Sequence, residues 1–366
     1  MLPERVTVLG GGNTAFSVAA NLTLGGVGVA LWEHPSQAAS IAPIYKSRTI
    51  HLEGTERTGA ATLALVTTDI AEALAWSETV LMAVPAYAHR PFAEASAPHL
   101  RPGQLVALLP GTLGALEIAR VLRDAGVRGV TLAEVDTSPY VCRKTAPDRA
   151  IIWGALPGLG AGVFPARRTN EVLPLITALF PGGRAYPNVL ACGLSSLNPI
   201  VHPPGVLLNA GRIERSRGDF YFYEEGVTPA VVNAIEALDR ERRAIGAAFG
   251  LDLVPVARAF HQAGFGPAGD LWAVINGSRT LTALRAPGAI NTRWLTEDVP
   301  YGLATWAALG AQADVATPVM EALVTLASAV LGIDCRAEGR SPADLGLAGL
   351  TAPAIAELLD GGWDER

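Results

Sequence analysis

The chain has 366 residues, half of them hydrophobic and 17% charged, with 28 basic against 34 acidic side chains and a net charge of −6. That length exceeds one ordinary core and suffices for two, and the composition is that of buried globular protein rather than disorder. An acidic chain without a lysine/arginine run is a poor partner for nucleic acid or membrane, and three scattered cysteines without a CxxC pair point to reduced thiols in a cytoplasm and to no metal site.

From Val6 to Trp32 no residue is charged, but glycines together with Asn13, Thr14, Ser17 and Asn21 interrupt the run, so it is not read as a secretory signal. RVTVLG (5–10) predicts a strand ending in glycine, and the next segment places Ala15, Val18, Ala19 and Leu22 at helical spacing. Gly10-x-Gly12-x-x-Ala15 fits a dinucleotide-binding fingerprint: the glycines permit a tight turn and close approach to a pyrophosphate, and the helix N-terminus adds positive dipole. Gly10, Gly12, Asn13, Thr14 and Ala15 are therefore candidate cofactor residues. VGVALWE predicts a second strand ending at Glu33, about twenty residues on, where a carboxylate accepts from the adenosine ribose hydroxyls. Glu33 favours NAD over NADP, although His34, Lys46 and Arg48 stand close enough in sequence to serve a 2′-phosphate.

LALVTTD with a helix over 69–76, TVLMAVPAYAH, QLVALLPGT and VTLAEVDTSPYV continue the alternation. The expected fold is α/β, a Rossmann-like, doubly wound parallel sheet. Ligands bind beyond the carboxyl ends of such strands. Pro85 and Ala86 in one turn, and Pro110-Gly111-Thr112 in another, should therefore cover the nicotinamide side. His89 is a second candidate acid, or a histidine at a solvated helix start. AIIWGAL and AGVFPA read as a closing β-hairpin, and a helix over 169–179 with GGRAY completes a first domain, residues 1–187.

The second domain, 188–366, reads as mostly α-helical, with helices expected over 188–211, 228–249, 251–263, 269–285, 299–312 and 316–331. No charge occurs between Arg184 and Arg212, yet Asn188, Asn198, Asn209 and the Pro203-Pro204 pair argue against a membrane span. This is read as a buried helix with Asn198 and His202 on one face and a kink beside the histidine. A titratable imidazole there is a functional candidate or a structural histidine. Arg293 and Asp298 stand five residues apart before a Pro300-led helix. Asp298 also suits an N-cap, and Arg293 a surface ion pair.

GGGNTA, VPAYAH, AEVDTSPYVCR, NPIVHPPGVLLNAG, FYEEGVTP and RWLTEDVPYGL occur in that order, and on these motifs most of the chain resembles the opine dehydrogenase (octopine/nopaline dehydrogenase) family. The resemblance implies a Rossmann-like domain followed by a helical one, with substrate in the cleft between them. It further implies NAD(P)H-dependent reductive condensation of an amino acid amine with an α-keto acid to an N-(carboxyalkyl)amino acid. By resemblance His202 is the catalytic histidine, Asp298 its acidic partner and Arg293 a ligand of the substrate carboxylate. Cys142, in PYVCR, matches a position that approaches the amino acid. Asn198 hydrogen-bonds substrate or cofactor, or satisfies a proline-disrupted backbone.

The chemistry suits the same residues, since a carbon accepting hydride is made electron-poor by a proton donor such as histidine, and a guanidinium fork orients a carboxylate. The nearest rival is another two-domain NAD(P)-dependent reductase. Many of these use a lysine in the helical domain, whereas no lysine follows Lys144 here. A non-catalytic NAD-binding regulator is the other rival, against which the presence of His202, Arg293 and Asp298 speaks. The expected partners are small molecules, an amino acid and an α-keto acid with pyruvate the default by analogy. The apolar helices over 299–331 are the expected contact of a homodimer.

Overall fold

The computed structural model describes residues 2–363, which fall into two compact units, 2–193 with the tail 357–363, and Leu194–Ala356. The strands of the first unit are β1 (Arg5–Leu9), β2 (Gly28–Trp32), β3 (Thr49–Gly54), β4 (Gly59–Thr62), β5 (Leu65–Thr67), β6 (Thr79–Met82), β7 (Leu105–Leu108), β8 (Thr131–Val135), β9 (Tyr140–Ala146), β10 (Arg149–Ala155), β11 (Gly160–Phe164) and β12 (Arg184–Ala185). Eight of them form one sheet in the order β12-β11-β8-β7-β6-β1-β2-β5. From β5 to β8 every pairing is parallel. The chain winds from β1 outward through β2, then returns to β6 on the other side of β1, so the strand order reverses beside β1, where such sheets bind ligands.

The buried strands are near-continuous apolar runs, as a sheet covered on both faces requires; β6 (TVLM) and β7 (LVAL) are buried throughout. At its far side β11 pairs antiparallel with β8.

The expected hairpin of AIIWGAL with AGVFPA does not form. β10 joins a separate four-stranded sheet, β4-β3-β10-β9, while β11 closes the main sheet. The physical reason lies in burial: β11 (GAGVF) is wholly buried, whereas β10 leaves Arg149, Trp153 and Ala155 in solvent. Ile50, Leu52, Ala61, Ala150 and Ile152 of the small sheet share a core with Phe16, Ala19 and Ala20 of the helix Asn13–Leu24.

The boundary also differs from 187/188. The helix Val189–Leu194 packs mainly with the first unit because small residues interlock there: a Cβ on Gly162 would meet Cys192 Cβ at 2.7 Å, and one on Gly193 would meet Leu113. At the other end the tail returns, with the Arg123 guanidinium 4.2 Å over the Trp363 ring.

The second unit is helical. The apolar segment 188–211 is not one helix but three, Val189–Leu194, Asn198–Leu208 and Ala210–Ser216. The expected kink beside His202 is replaced by an unbroken run through Pro203 and Pro204, with breaks at 195–197 and at Asn209. Asn209, rather than Asn198, serves the backbone here, donating to Gly205 O and Gly226 O at 2.9 Å each. Helix Pro229–Ala248 carries a buried pair, Arg242 with Asp239; Arg242 also donates to Leu194 O and Val254 O, and Asp239 also accepts from Val256 N and pairs with Arg243 at 3.3 Å. Among the described residues no helix is long and apolar enough to cross a membrane.

Candidate active site

In the second unit two segments 96 residues apart in sequence meet at one hydrogen bond, His202 Nδ1 donating to Asp298 Oδ2 at 2.7 Å. The side chains are 11% and 14% exposed. His202 sits mid-helix on Asn198–Leu208. Asp298 opens a wide π-helical turn, Asp298–Ala304, in place of the expected Pro300-led α-helix. The cap position of that turn falls on Glu297 rather than on Asp298, whose carboxylate accepts from the imidazole instead. Such wide turns recur at functional sites. With Nδ1 bound to a carboxylate, Nε2 is the nitrogen available for proton exchange with a ligand. Burial holds the Asp298 carboxyl above the usual carboxylate range, opposed by the hydrogen bond from His202.

An aromatic layer frames the pair. Trp294 stacks face to face on His202, with ring centroids 4.1 Å apart and planes within 3° of parallel. Phe222 meets Trp294 edge-on at 4.7 Å, and Tyr223 meets Phe222 at 5.0 Å. Gly205 is needed here, since a Cβ on it would sit 2.5 Å from the Phe222 ring. Burial and the charge of Asp298 raise the Tyr223 hydroxyl, keeping it protonated. Trp294 and Tyr223 lie within motifs evident in the sequence, yet nothing in their spacing singles them out.

Arg293 belongs to the same short helix as Trp294 and pairs with Glu297, its side chain 57% exposed. The ion-pair reading of Arg293 is thus what the structure displays. Asn198 is exposed at the first turn of the histidine helix. His89 is not at a solvated helix start: it is 1% exposed and packed so closely on Gly114 that a Cβ there would meet its Nδ1 at 2.2 Å.

In the first unit the fingerprint adopts the geometry a dinucleotide needs. Gly10 has φ +120° and a Cβ on it would collide with Ala83 O at 2.7 Å, which no side-chain-bearing residue can accommodate. At Gly12 a Cβ would find nothing within 4 Å among the described residues, which leaves the backbone open to a pyrophosphate. The following helix, Asn13–Leu24, has no acidic residue in its own first turn, which suits its positive end to an anion. Asn13 Oδ1 accepts from Lys144 N at 2.9 Å, Thr14 Oγ1 lies 3.4 Å from Ser138 Oγ, and Ala15 is buried. Pro85 and Ala86 follow β6 beside Gly10.

Glu33 is buried at the end of β2. Its carboxylate accepts from His34 N at 2.8 Å and Ser40 Oγ at 3.1 Å, while burial raises its carboxyl. Gly11 makes room for this seat, since a Cβ there would meet Ser40 Oγ and Glu33 Oε2. These residues fit a dinucleotide. Cys142, on β9, is half-buried beside Thr14 and Ser17, and burial pushes its thiol up. Among the described residues no cluster of three or more metal-ligating side chains occurs.

The two units match known families separately. Residues 5–113 match the NAD-dependent glycerol-3-phosphate dehydrogenase N-terminus, and residues 185–331 match the alpha-helical domain of NAD/NADP octopine/nopaline dehydrogenase. An opine dehydrogenase of Arthrobacter sp. (strain 1C) is 35% identical over 98% of this chain and 99% of its own length. Vitopine synthase of Allorhizobium ampelinum is 26% identical over 98% and 99%. Among solved structures, octopine dehydrogenase in complex with NADH and agmatine superposes with a TM-score of 0.81 at 21% identity, covering 98% of each chain. With a full-length relative at that identity and the helical domain matched besides, the chain belongs to the opine dehydrogenase family and is an NAD(P)-dependent oxidoreductase.

Proposed function

We propose that His202, oriented by Asp298, is the general acid/base of a reductive condensation that joins the amine of an L-amino acid to an α-keto acid. The observation that carries this reading is the 2.7 Å His202–Asp298 bond beneath a stacked Trp294, inside the region matched by the octopine/nopaline family.

Neutral His202 takes a proton at Nε2 from the substrate ammonium, freeing the nitrogen lone pair to attack the keto carbon. The resulting imidazolium gives that proton to the keto oxygen, the imidazole then takes a second proton from the carbinolamine nitrogen and passes it to the hydroxyl, and the oxygen leaves as water, so one C=O bond is exchanged for a C=N bond. When bound, the nicotinamide cofactor supplies the hydride that reduces this carbon. Asp298 fixes the tautomer with the proton on Nδ1 and stabilises the imidazolium. Arg293, cationic and on the same short segment, receives the keto-acid carboxylate in exchange for its pairing with Glu297. Cys142 and Asn198 are proposed to contact the amino acid.

Glu33 supports NADH over NADPH, because a second anion beside a buried carboxylate is repelled. Octopine dehydrogenase structures hold NADH with L-arginine or with pyruvate, and a yersinopine dehydrogenase structure holds NADP+. Pyruvate is our default keto acid on that analogy. The test is NADH absorbance in the presence of keto acid, amine or both, followed by mass spectrometry of the product. Consumption that needs both substrates and yields the N-(carboxyalkyl)amino acid supports the reading. Consumption with keto acid alone identifies a hydroxyacid dehydrogenase instead.

A further inference from the structure

Lysine occurs only twice in the chain, at Lys46 and Lys144, and Lys144 stands among the cofactor residues. It lies on β9, in the small sheet, and its backbone N–H donates to Asn13 of the fingerprint at 2.9 Å. Its side chain turns inward. Nζ is 2.5 Å from Ser40 O and 3.5 Å from Gly11 O, and 3.5 Å from the centroid of the Phe16 ring. Those carbonyls belong to the residue whose hydroxyl binds Glu33 and to the glycine pressed against Glu33. The outer side of the same place is an open recess of about 360 Å³, lined by Ser40, Pro43, Lys144 and Pro147 among others.

We propose that Lys144 is a cofactor-binding residue whose ammonium receives a phosphate of the dinucleotide at its adenosine end. The partners it has here are a cation's minimum: two carbonyl dipoles, one aromatic face and the field of Glu33. A fully ionised phosphate is a stronger acceptor than any of them, and an ammonium on a flexible four-carbon stem reaches it by a change of rotamer. Burial meanwhile lowers the Lys144 amine to about 8, with Glu33 the facing charge that opposes the shift. An arriving anion raises it again, so binding near that pH takes up a proton at Lys144. The assignment rests on the first unit being the cofactor site, and its test separates the two.

Titration calorimetry of the full-length protein with NADH and with NADPH, for wild type, Lys144→Met and Lys144→Arg, decides it. The Met variant should bind about tenfold more weakly or worse, with the Arg variant within a few fold of wild type. Wild type should show proton uptake near pH 8, read as a dependence of binding heat on the ionisation enthalpy of the buffer, and a folded Met variant should not. Loss shared by NADH and NADPH places the pyrophosphate at Lys144; loss confined to NADPH places the 2′-phosphate there. Unchanged affinity for both dinucleotides in a folded Met variant overturns the proposal. Should that variant not fold, absence of proton uptake by wild type overturns it equally. Wild type that binds neither dinucleotide overturns the cofactor reading itself, and the lysine assignment with it.

Discussion

An imidazole that must exchange a proton at one nitrogen needs its ring plane fixed as much as its tautomer. Asp298 sets the tautomer, and Trp294, stacked 4.1 Å away on one face, sets the plane. Replacing Trp294 by Leu removes the flat support but keeps apolar bulk, and we expect kcat to fall about tenfold with NADH affinity unchanged. Trp294→Phe should keep most of the rate. Equal rates for the Leu variant and wild type would make the stack ornamental. Lys144 gives a prediction of the opposite kind, on stability. Its amine is lowered to about 8 in the folded chain, whereas the unfolded chain holds that proton up to about 10.4. The unfolded state therefore binds more protons between those values, and stability rises with pH there. Denaturant midpoints of wild type relative to Lys144→Met should move in favour of wild type from pH 7.5 to pH 10; a constant gap would contradict the shift. At this scale the sequence was informative where a motif has a mechanism. Gly10, Gly12 and Glu33 were legible because a tight turn and a strand end constrain residue type. The placement of Trp294 and Lys144 was not, because Lys144 meets partners more than a hundred residues away and Trp294 stacks on a histidine ninety-two residues away.

Among the elements, the helix Pro229–Ala248 shows most directly how polar bonds hold the helical unit. Arg242, 1% exposed, ties Asp239 to two carbonyls from different segments, Leu194 O and Val254 O. Arg242→Ala removes the buried partner of Asp239 and the donor to Leu194 O and Val254 O, while Arg243 stays 3.3 Å from the carboxylate; breaking a buried pair costs about 3–5 kcal/mol, and the remaining guanidinium places this loss at the lower end. Chemical denaturation should report that loss, and a loss within ~0.5 kcal/mol would show that Asp239 finds other partners. β1, β2, β6, β7 and β8 were legible from buried β-branched and apolar runs followed by glycine or proline. β3 was hard to read: Ile50 and Leu52 alternate with Thr49, His51 and Glu53, but only two apolar positions carry the period-two signal before Gly54 ends the strand. The hairpin expected from β10 and β11 failed because adjacency in sequence does not fix which sheet a strand joins. The π-helical turn at Asp298 was hidden for a related reason, since a wide turn and an ordinary first helical turn carry the same residues.

For the molecule as a whole, the alternation of strands and helices announced the first unit, and loss of that alternation announced the second. The pairing of His202 with Asp298 was legible only through the ordered motifs, because no local pattern links positions 96 apart. Packing of Pro199 against Gly302 explains how the fold brings the two segments together, since a Cβ on that glycine would stand 2.5 Å from the proline ring. The central claim is that this pair moves the protons of the condensation. It is tested most directly by kcat of His202→Ala with pyruvate and the preferred amine, measured beside NADH affinity. We predict a loss of about a hundredfold or more in kcat with NADH bound as tightly as by wild type. A variant that turns over at the wild-type rate would contradict it.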